Sequence, residues 1–220
     1  MIIIDKPNAY IVHAHDEADI IETIAHAGYT CYQTQALNKS YSDVVKFVQK
    51  LIKLGHGSPL EHASITMDIV TDRGVTHELV RHRIGAYSQE STRYCNYSKG
   101  KFNSQITCLN PFSTPFRETQ LYDHEAFKQW ADICEKCETA YNEMLANGIK
   151  PEDARGVLPT SLASEIVVTY NVRQWRHVIK QRLDSHAHPM MRYTMSVILD
   201  ELVTYYPNLF GDLGHYPTVG

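Results

Sequence analysis

Apolar positions recur along this chain with two periods, near two and near 3.6, and the changes of period divide it into elements. Ala9 to His15 reads as a strand, and Asp16 stands as the N-cap of a helix running to about Ala27. Thr30-Cys31-Tyr32 then reads as a polar turn. From Ser42 to Leu54 apolar residues fall at Val44, Val45, Phe47, Val48, Leu51 and Ile52, an amphipathic helix stopped by Gly55. Ala63 to Thr71 alternates, with Ile65, Met67 and Ile69 on one face of a strand. Asp72-Arg73-Gly74 turns the chain. Val75 to Arg83 predicts a helix with Val75, Leu79 and His82 on one side and Glu78 and Arg81 on another.

Residues 95–117 predict a long irregular segment, a lid or a loop between subunits. Glu118 to about Ala146 predicts a long helix whose core face carries Trp130, Ile133, Cys137, Tyr141 and Met144, closed by Asn147-Gly148. Pro151 opens a short helix that ends at Leu158-Pro159. Ser164 to Tyr170 is β-branched and strand-like. Asn171 caps a helix extending to His186, with Trp175, Ile179, Arg182 and His186 on one face. A last helix begins at His188-Pro189, carries Met191, Met195, Ile198, Leu202 and Tyr205, and stops at Tyr206-Pro207-Asn208. The tail after it carries no clear pattern. Repeats, low-complexity tracts and linkers are lacking, so residues 1–220 are expected to form a single domain.

Composition narrows the class of ligand. With 220 residues, 43% of them hydrophobic, the chain can bury a sizeable core. A net charge of −4 and a pI near 6.3 disfavour a nucleic-acid surface. A local basic pocket on an acidic protein suits a small anion instead. Met1 to Pro7 is too short and too soon polar for a signal peptide, and no apolar run approaches the roughly 20 residues of a membrane span. The five scattered cysteines fit reduced thiols in a cytoplasm. Cys134-x-x-Cys137 has no second Cys or His pair beside it, so a zinc site is not expected there.

The chemistry concentrates in Arg81 to Tyr94. Arg81, His82 and Arg83 stand at one end and Arg93 at the other, with Gly85 and hydroxyl residues between. Guanidinium forks match phosphate or carboxylate bidentately and hydroxyls complete an oxyanion's hydrogen bonds, so a chain folded back on itself could gather these arginines on one anion. A solvated basic loop is the plainer reading. In Gly55 to His62 a fixed turn brings together His56, Ser58, Glu61 and His62; a metal site and a purely structural turn are both open. Arg182 continues an apolar helix face. A buried arginine is costly without an anion, so Asp184, another acid or a bound ligand is expected opposite it.

Arg81-His82-Arg83, seven residues, Ser91 and then Arg93-Tyr94 resemble the signature of the flavin-dependent thymidylate synthases. The segments Gly55 to His62, Ala154-Arg155 to Pro159, Asn171-x-Arg173 and Arg182-x-Asp184-Ser185-His186-Ala187 are similar to other parts of that family's pattern. The resemblance runs from about Gly55 to Tyr206 and more loosely before it. It implies an α+β (mixed α/β) fold, a central, mostly antiparallel sheet flanked by long helices, assembled as a homotetramer with shared active sites. No Gly-x-Gly-x-x-Gly fingerprint is present, so a flavin would be held outside a Rossmann crevice.

The activity implied is reductive methylation of dUMP to dTMP, with methylenetetrahydrofolate as carbon donor, FAD as hydride carrier and NADPH as reductant. By resemblance Glu78, Arg81, Gln89, Glu90, Ser91, Thr92, Arg93, Arg155 and Arg182 contact dUMP. Ser58, Glu61, Arg81, His82, Arg83, Gln89, Asn171, Arg173, His177 and His186 hold FAD. Arg182 is the catalytic residue, set at the pyrimidine to favour its anionic form. Glu78, Gln89 and His177 stand where family members commonly carry Gln, Glu and Asn. No metal and no cysteine nucleophile are needed. Two other readings stay open: a non-catalytic protein that binds a nucleotide phosphate, and a metallohydrolase built on His56, Glu61 and His62.

Overall fold

The computed structural model describes residues 1–33, 39–116 and 124–214 of the chain. Its elements in order are β1 (Ile2–Ile4), β2 (Asn8–Ile11), α1 (Glu17–Cys31), α2 (Tyr41–Lys53), β3 (Ser64–Asp72), α3 (Arg73–Leu79), β4 (Ala86–Gln89), β5 (Thr107–Leu109), α4 (His124–Ala146), α5 (Pro151–Ala154), β6 (Ala163–Asn171), α6 (Val172–Arg182), α7 (Pro189–Tyr205) and α8 (Pro207–Phe210). The expected mixture of helices and antiparallel strands is present. The main sheet runs β2-β3-β6-β4, every pair antiparallel, and β1 and β5 form a small parallel pair beside it.

The β3–β6 ladder is the spine. It pairs Ser64 with Asn171 at one end and Asp72 with Ala163 at the other. Ile65, Met67 and Ile69 of β3 and Ile166, Val168 and Tyr170 of β6 are buried on one face, where they meet Ile20, Ile21 and Ile24 of α1, Trp175 and Ile179 of α6 and Met191, Met195 and Ile198 of α7. Trp175 also donates its indole N–H to the Ile65 carbonyl at 2.9 Å, so its one polar group is satisfied inside the core. A second core gathers Tyr97, Ile106, Cys108, Cys134, Tyr141 and Leu162 between α4 and β5.

Several boundaries differ from the sequence reading, each for a local reason. Helix α1 continues through the expected turn at Thr30-Cys31: Tyr29 is buried and stacks on Phe47 of α2 at 4.4 Å, and Thr30 returns its hydroxyl to the His26 carbonyl. The first predicted strand stops at Ile11, and His13 and His15 lie exposed beyond it. Within the segment expected to be irregular, Thr107–Leu109 pairs with Ile2–Ile4, a strand too short to read from periodicity. The predicted start of the long helix at Glu118 lies outside the described residues. Beyond α7 the chain is not a plain tail, because Leu209 and Phe210 of α8 are fully buried.

Two corrections matter for the site. Helix α3 ends at Leu79, not at Arg83. Arg81 and His82 make tightened bonds to the carbonyls of Glu78 and Leu79, and Asp72, taken from sequence for a turn, caps the helix start by accepting from the Val75 N–H at 2.7 Å. Helix α6 ends at Arg182, not at His186. There Asp184 accepts from the His186 N–H at 2.9 Å and the chain turns away.

The C-terminal segment is fastened by Arg176, which is 5% exposed. It donates to both carboxylate oxygens of Asp212, each at 2.6 Å, and to the Leu209 carbonyl. The bond from Arg176, and then its charge, hold the Asp212 carboxyl below the usual carboxylate range. Asp212→Asn leaves a buried guanidinium without its counter-charge. With the carboxylate half-exposed, a stability loss of about 1–3 kcal/mol at neutral pH is expected in urea unfolding. A lowered carboxyl pKa contributes stability above the unfolded value and loses it as pH falls, so the gap between wild type and Asp212→Asn narrows only below about pH 4.

Candidate active site

Strand β6 runs into α6 through its last residue. The Asn171 side chain accepts from the Gln174 N–H at 2.8 Å and starts the helix that ends on Arg182. Strand β3 does the same through Asp72 into α3, whose last turn carries Glu78. The two helices bring Arg182 and Glu78 together. Arg182 Nη1 donates to Glu78 Oε2 at 2.9 Å, and Nη2 to the Glu78 carbonyl at 3.5 Å. Arg182 Nε donates to His82 Nε2 at 2.9 Å. The carboxylate expected opposite Arg182 is therefore Glu78; Asp184 pairs with His186 at 2.7 Å instead.

His82 is buried. Burial, then the charge of Arg182, then His177 push its pKa down to about 4, so the ring is neutral at physiological pH. An arginine always donates, so Nε2 must accept and the ring proton sits on Nδ1. The turn that carries His82 is held from the sheet. The hydroxyls of Tyr87 on β4 and Tyr170 on β6 lie 2.6 Å apart; Tyr87 reaches the Leu79 and His82 carbonyls and Tyr170 reaches that of Leu79. Burial pushes both phenols up, so they remain protonated donors. Gly85 is required here: a Cβ would stand 2.2 Å from the Tyr170 ring. The segment 86–89, read from sequence as part of a loop, is a strand paired with β6.

A second group forms where the chain leaves β4. Arg155 donates to the buried Thr92 hydroxyl at 3.3 Å, and Arg93 lies 3.7 Å from Glu152. Ser91 accepts from the Arg93 N–H at 3.4 Å. Gln89 donates to Thr76 at 2.9 Å and to Ser164 at 3.1 Å, while Glu90 accepts from Tyr97 at 3.0 Å. Gln89 and Glu90 line a cavity of about 480 Å³ together with Tyr97, Lys101 and Glu165.

A third group faces the 3₁₀ turn at Ser58–His62. Arg173 pairs with Glu61, and Gly57 admits the arginine side chain closely, since a Cβ there would lie 2.7 Å from Arg173 Nε. Ser58 is exposed at the start of the turn. His56 bonds Tyr32 at 2.6 Å. Among the described residues no cluster of three or more His, Cys, Asp or Glu side chains is placed to hold a metal ion.

The sequence-selected residues thus fall into groups rather than one ring. Arg93 and Arg155 share one, Arg182 and His82 another, and among the described residues no hydrogen bond or ion pair joins the two. Arg81 and Arg83 are exposed with no ion pair among the described residues, next to Ile84, which is 68% exposed. His177 is exposed too, its ring centroid 6.5 Å from that of His82, while His186 projects into solvent. Free guanidinium groups beside an exposed apolar side chain fit a cofactor with a diphosphate and a flat apolar ring system, as FAD has. Tyr87, Tyr170 and Glu152 escaped the sequence reading. Only the β4–β6 register and the fold of the α5 region reveal them.

Comparison with known proteins identifies the family. The family described as thymidylate synthase complementing protein matches residues 12–208. A flavin-dependent thymidylate synthase of Geobacter sulfurreducens is 34% identical over 197 residues, covering 87% of this chain and 81% of that protein. One from Pyrococcus furiosus is 32% identical over 188 residues, 83% of this chain and 74% of its own length. One from Corynebacterium efficiens is 31% identical over 212 residues, 93% and 82% respectively. With residues 12–208 matched, nearly its whole length, the chain belongs to the thymidylate synthase complementing protein family.

Proposed function

We propose that this protein is a flavin-dependent thymidylate synthase that methylates dUMP to dTMP. The observation that carries the reading is a guanidinium, Arg182, held in fixed orientation on a neutral histidine within the residues of the family signature. The carbon donor is methylenetetrahydrofolate and the reductant NADPH. Bound FAD supplies hydride-transfer chemistry. The chain's own residues bind, orient and polarise.

Arg93, Arg155, Ser91 and Thr92 take the nucleotide phosphate: two cations and two hydroxyls suit a dianion. Arg182 faces the pyrimidine and lowers the energy of negative charge on it. Arg81, Arg83, Ser58, Asn171, Arg173 and His177 hold the flavin, with His82 and Gln89 behind them; Glu61 orients Arg173, and His186 closes the group. The sheet that anchors these residues is antiparallel, which supports a flavin site other than a Rossmann crevice. The separation of the Arg93–Arg155 group from Arg182 within one chain supports a homotetramer, in which one copy offers the phosphate site and another the base site. The reading places the enzyme in the cytoplasm as a single catalytic domain.

The deciding assay is anaerobic, with dUMP, methylenetetrahydrofolate, FAD and NADPH; dTMP and tetrahydrofolate are the expected products, and their absence would sink the assignment. Arg182→Ala is expected to keep the fold and the flavin absorbance while dTMP formation drops by about 10²-fold or more; unchanged turnover removes Arg182 from the mechanism. Arg155→Ala is expected to weaken dUMP binding by about 10- to 100-fold, the value of a charged hydrogen bond to phosphate, and to leave deoxyuridine binding unaltered. Calorimetry with both ligands checks this, and an equal loss for the two contradicts the phosphate role.

A further inference from the structure

Arg182 has five N–H donors, and protein acceptors engage three of them. Two of the three acceptors belong to a single residue, Glu78: its carboxylate takes Nη1 and its carbonyl takes Nη2. One N–H on each Nη is left for a ligand. His82 is the third acceptor, and it carries no charge. The local sum is therefore one negative carboxylate against one positive guanidinium.

We propose that Glu78 is a positioning residue for Arg182, fixing which N–H groups remain for the pyrimidine and moderating how much positive charge reaches it. The proposal rests on the reading of Arg182 given above and goes beyond it: Glu78 acts on the substrate through the arginine. Geometry alone supports the positioning half. Arg182 is the last residue of α6, where the backbone no longer restrains it, and its side chain is 20% exposed. Without the Glu78 side chain it would keep the His82 contact and the long bond to the residue-78 carbonyl, and Nη1 would lose its fixed partner. The charge half follows from proximity. A carboxylate within hydrogen-bond distance of a guanidinium offsets its field at any third group nearby, and the protein's low polarisability there makes the offset larger than in water.

The other titratable groups around the pair come from every neighbouring element. His177 lies on α6, Tyr87 on β4 and Tyr170 on β6. Asp72 at the start of α3 has its carboxyl pushed up by burial, with Glu78 adding to the rise and His188 opposing it. These groups are present in wild type and in a Glu78 variant alike; of them only Asp72 loses a contribution from the Glu78 charge, a lesser one than its burial.

The test uses the full chain with FAD and dUMP and compares wild type, Glu78→Gln and Glu78→Ala. The amide of Glu78→Gln keeps an acceptor for Arg182 Nη1 and removes the charge. Expected for Glu78→Gln is a dUMP dissociation constant within about twofold of wild type, with the ultraviolet titration midpoint of bound uracil lower by about one pH unit. The pH profile of kcat moves the same way. Glu78→Ala is expected to lose the solvent protection of the Arg182 Nη1–H signal in ¹⁵N NMR of the ligand-free protein, while Glu78→Gln retains it. An unshifted uracil midpoint together with a tenfold or greater loss of dUMP affinity in Glu78→Gln would show Glu78 to be a direct substrate contact and overturn the proposal. An Nη1–H signal equally protected in Glu78→Ala would also overturn it, whatever the kinetics. A wild-type protein that fails to bind dUMP sinks the functional reading itself, and the NMR comparison in the free protein tells that failure apart from this one.

Discussion

The antiparallel pairing of β3 with β6 is the constraint from which the site follows. Both strands have nine residues, about 30 Å of extended chain, and each ends in a side chain that caps the next helix, Asp72 for α3 and Asn171 for α6. Because the strands run in opposite senses, the helices start at opposite ends of the ladder. Each then turns back over it, α3 for about 10 Å and α6 for about 16 Å, and their C-terminal ends meet. Two helix ends presenting carbonyl oxygens make a place where a cation is favoured. Arg182 occupies it, and its bond to the Glu78 carbonyl is that preference in atomic form.

Such a meeting point needs the short helix to stop on time. Two tyrosine hydroxyls from neighbouring strands enforce the stop by bonding the carbonyls at the end of α3 and in the following turn. Once those carbonyls are occupied, the chain leaves the helix, His82 is driven inward against Arg182, and Arg81 and Arg83 are turned outward. One tight turn thereby separates three adjacent residues by role: a buried neutral imidazole between two solvent-facing cations. Gly85 lets the turn pass the Tyr170 ring, a fit that a methyl group would already disrupt.

Much of this was legible in the sequence. Asp16 and Asn171 cap their helices, the alternation of Ile65, Met67 and Ile69 marks the buried face of β3, and the Arg-His-Arg to Ser spacing marks the signature. What escaped was non-local. Ala86 to Gln89 has no apolar alternation of its own and becomes a strand only because β6 offers an edge. Periodicity carried the α3 and α6 patterns past their true ends, since nothing in the local sequence announces hydroxyls arriving from another strand or an aspartate folding back on a histidine N–H. Opposite Arg182 the sequence left open Asp184, another acid or a ligand; the partner is another acid, Glu78, 104 residues away.

The two arginine groups also differ in kind, and the difference sorts their roles. Arg93 and Arg155 are exposed; Arg155 bonds the Thr92 hydroxyl and Arg93 pairs with the Glu152 carboxylate only at 3.7 Å, so a strong anion can displace that carboxylate at little cost. The Arg182 side chain is only 20% exposed and is held by bonds of 2.9 Å to partners that a ligand cannot easily displace. The first arrangement suits capture of a phosphate that arrives fully charged. The second suits a base that is neutral on arrival and gains charge only as it reacts, because a donor already fixed in place needs no reorganisation at that moment.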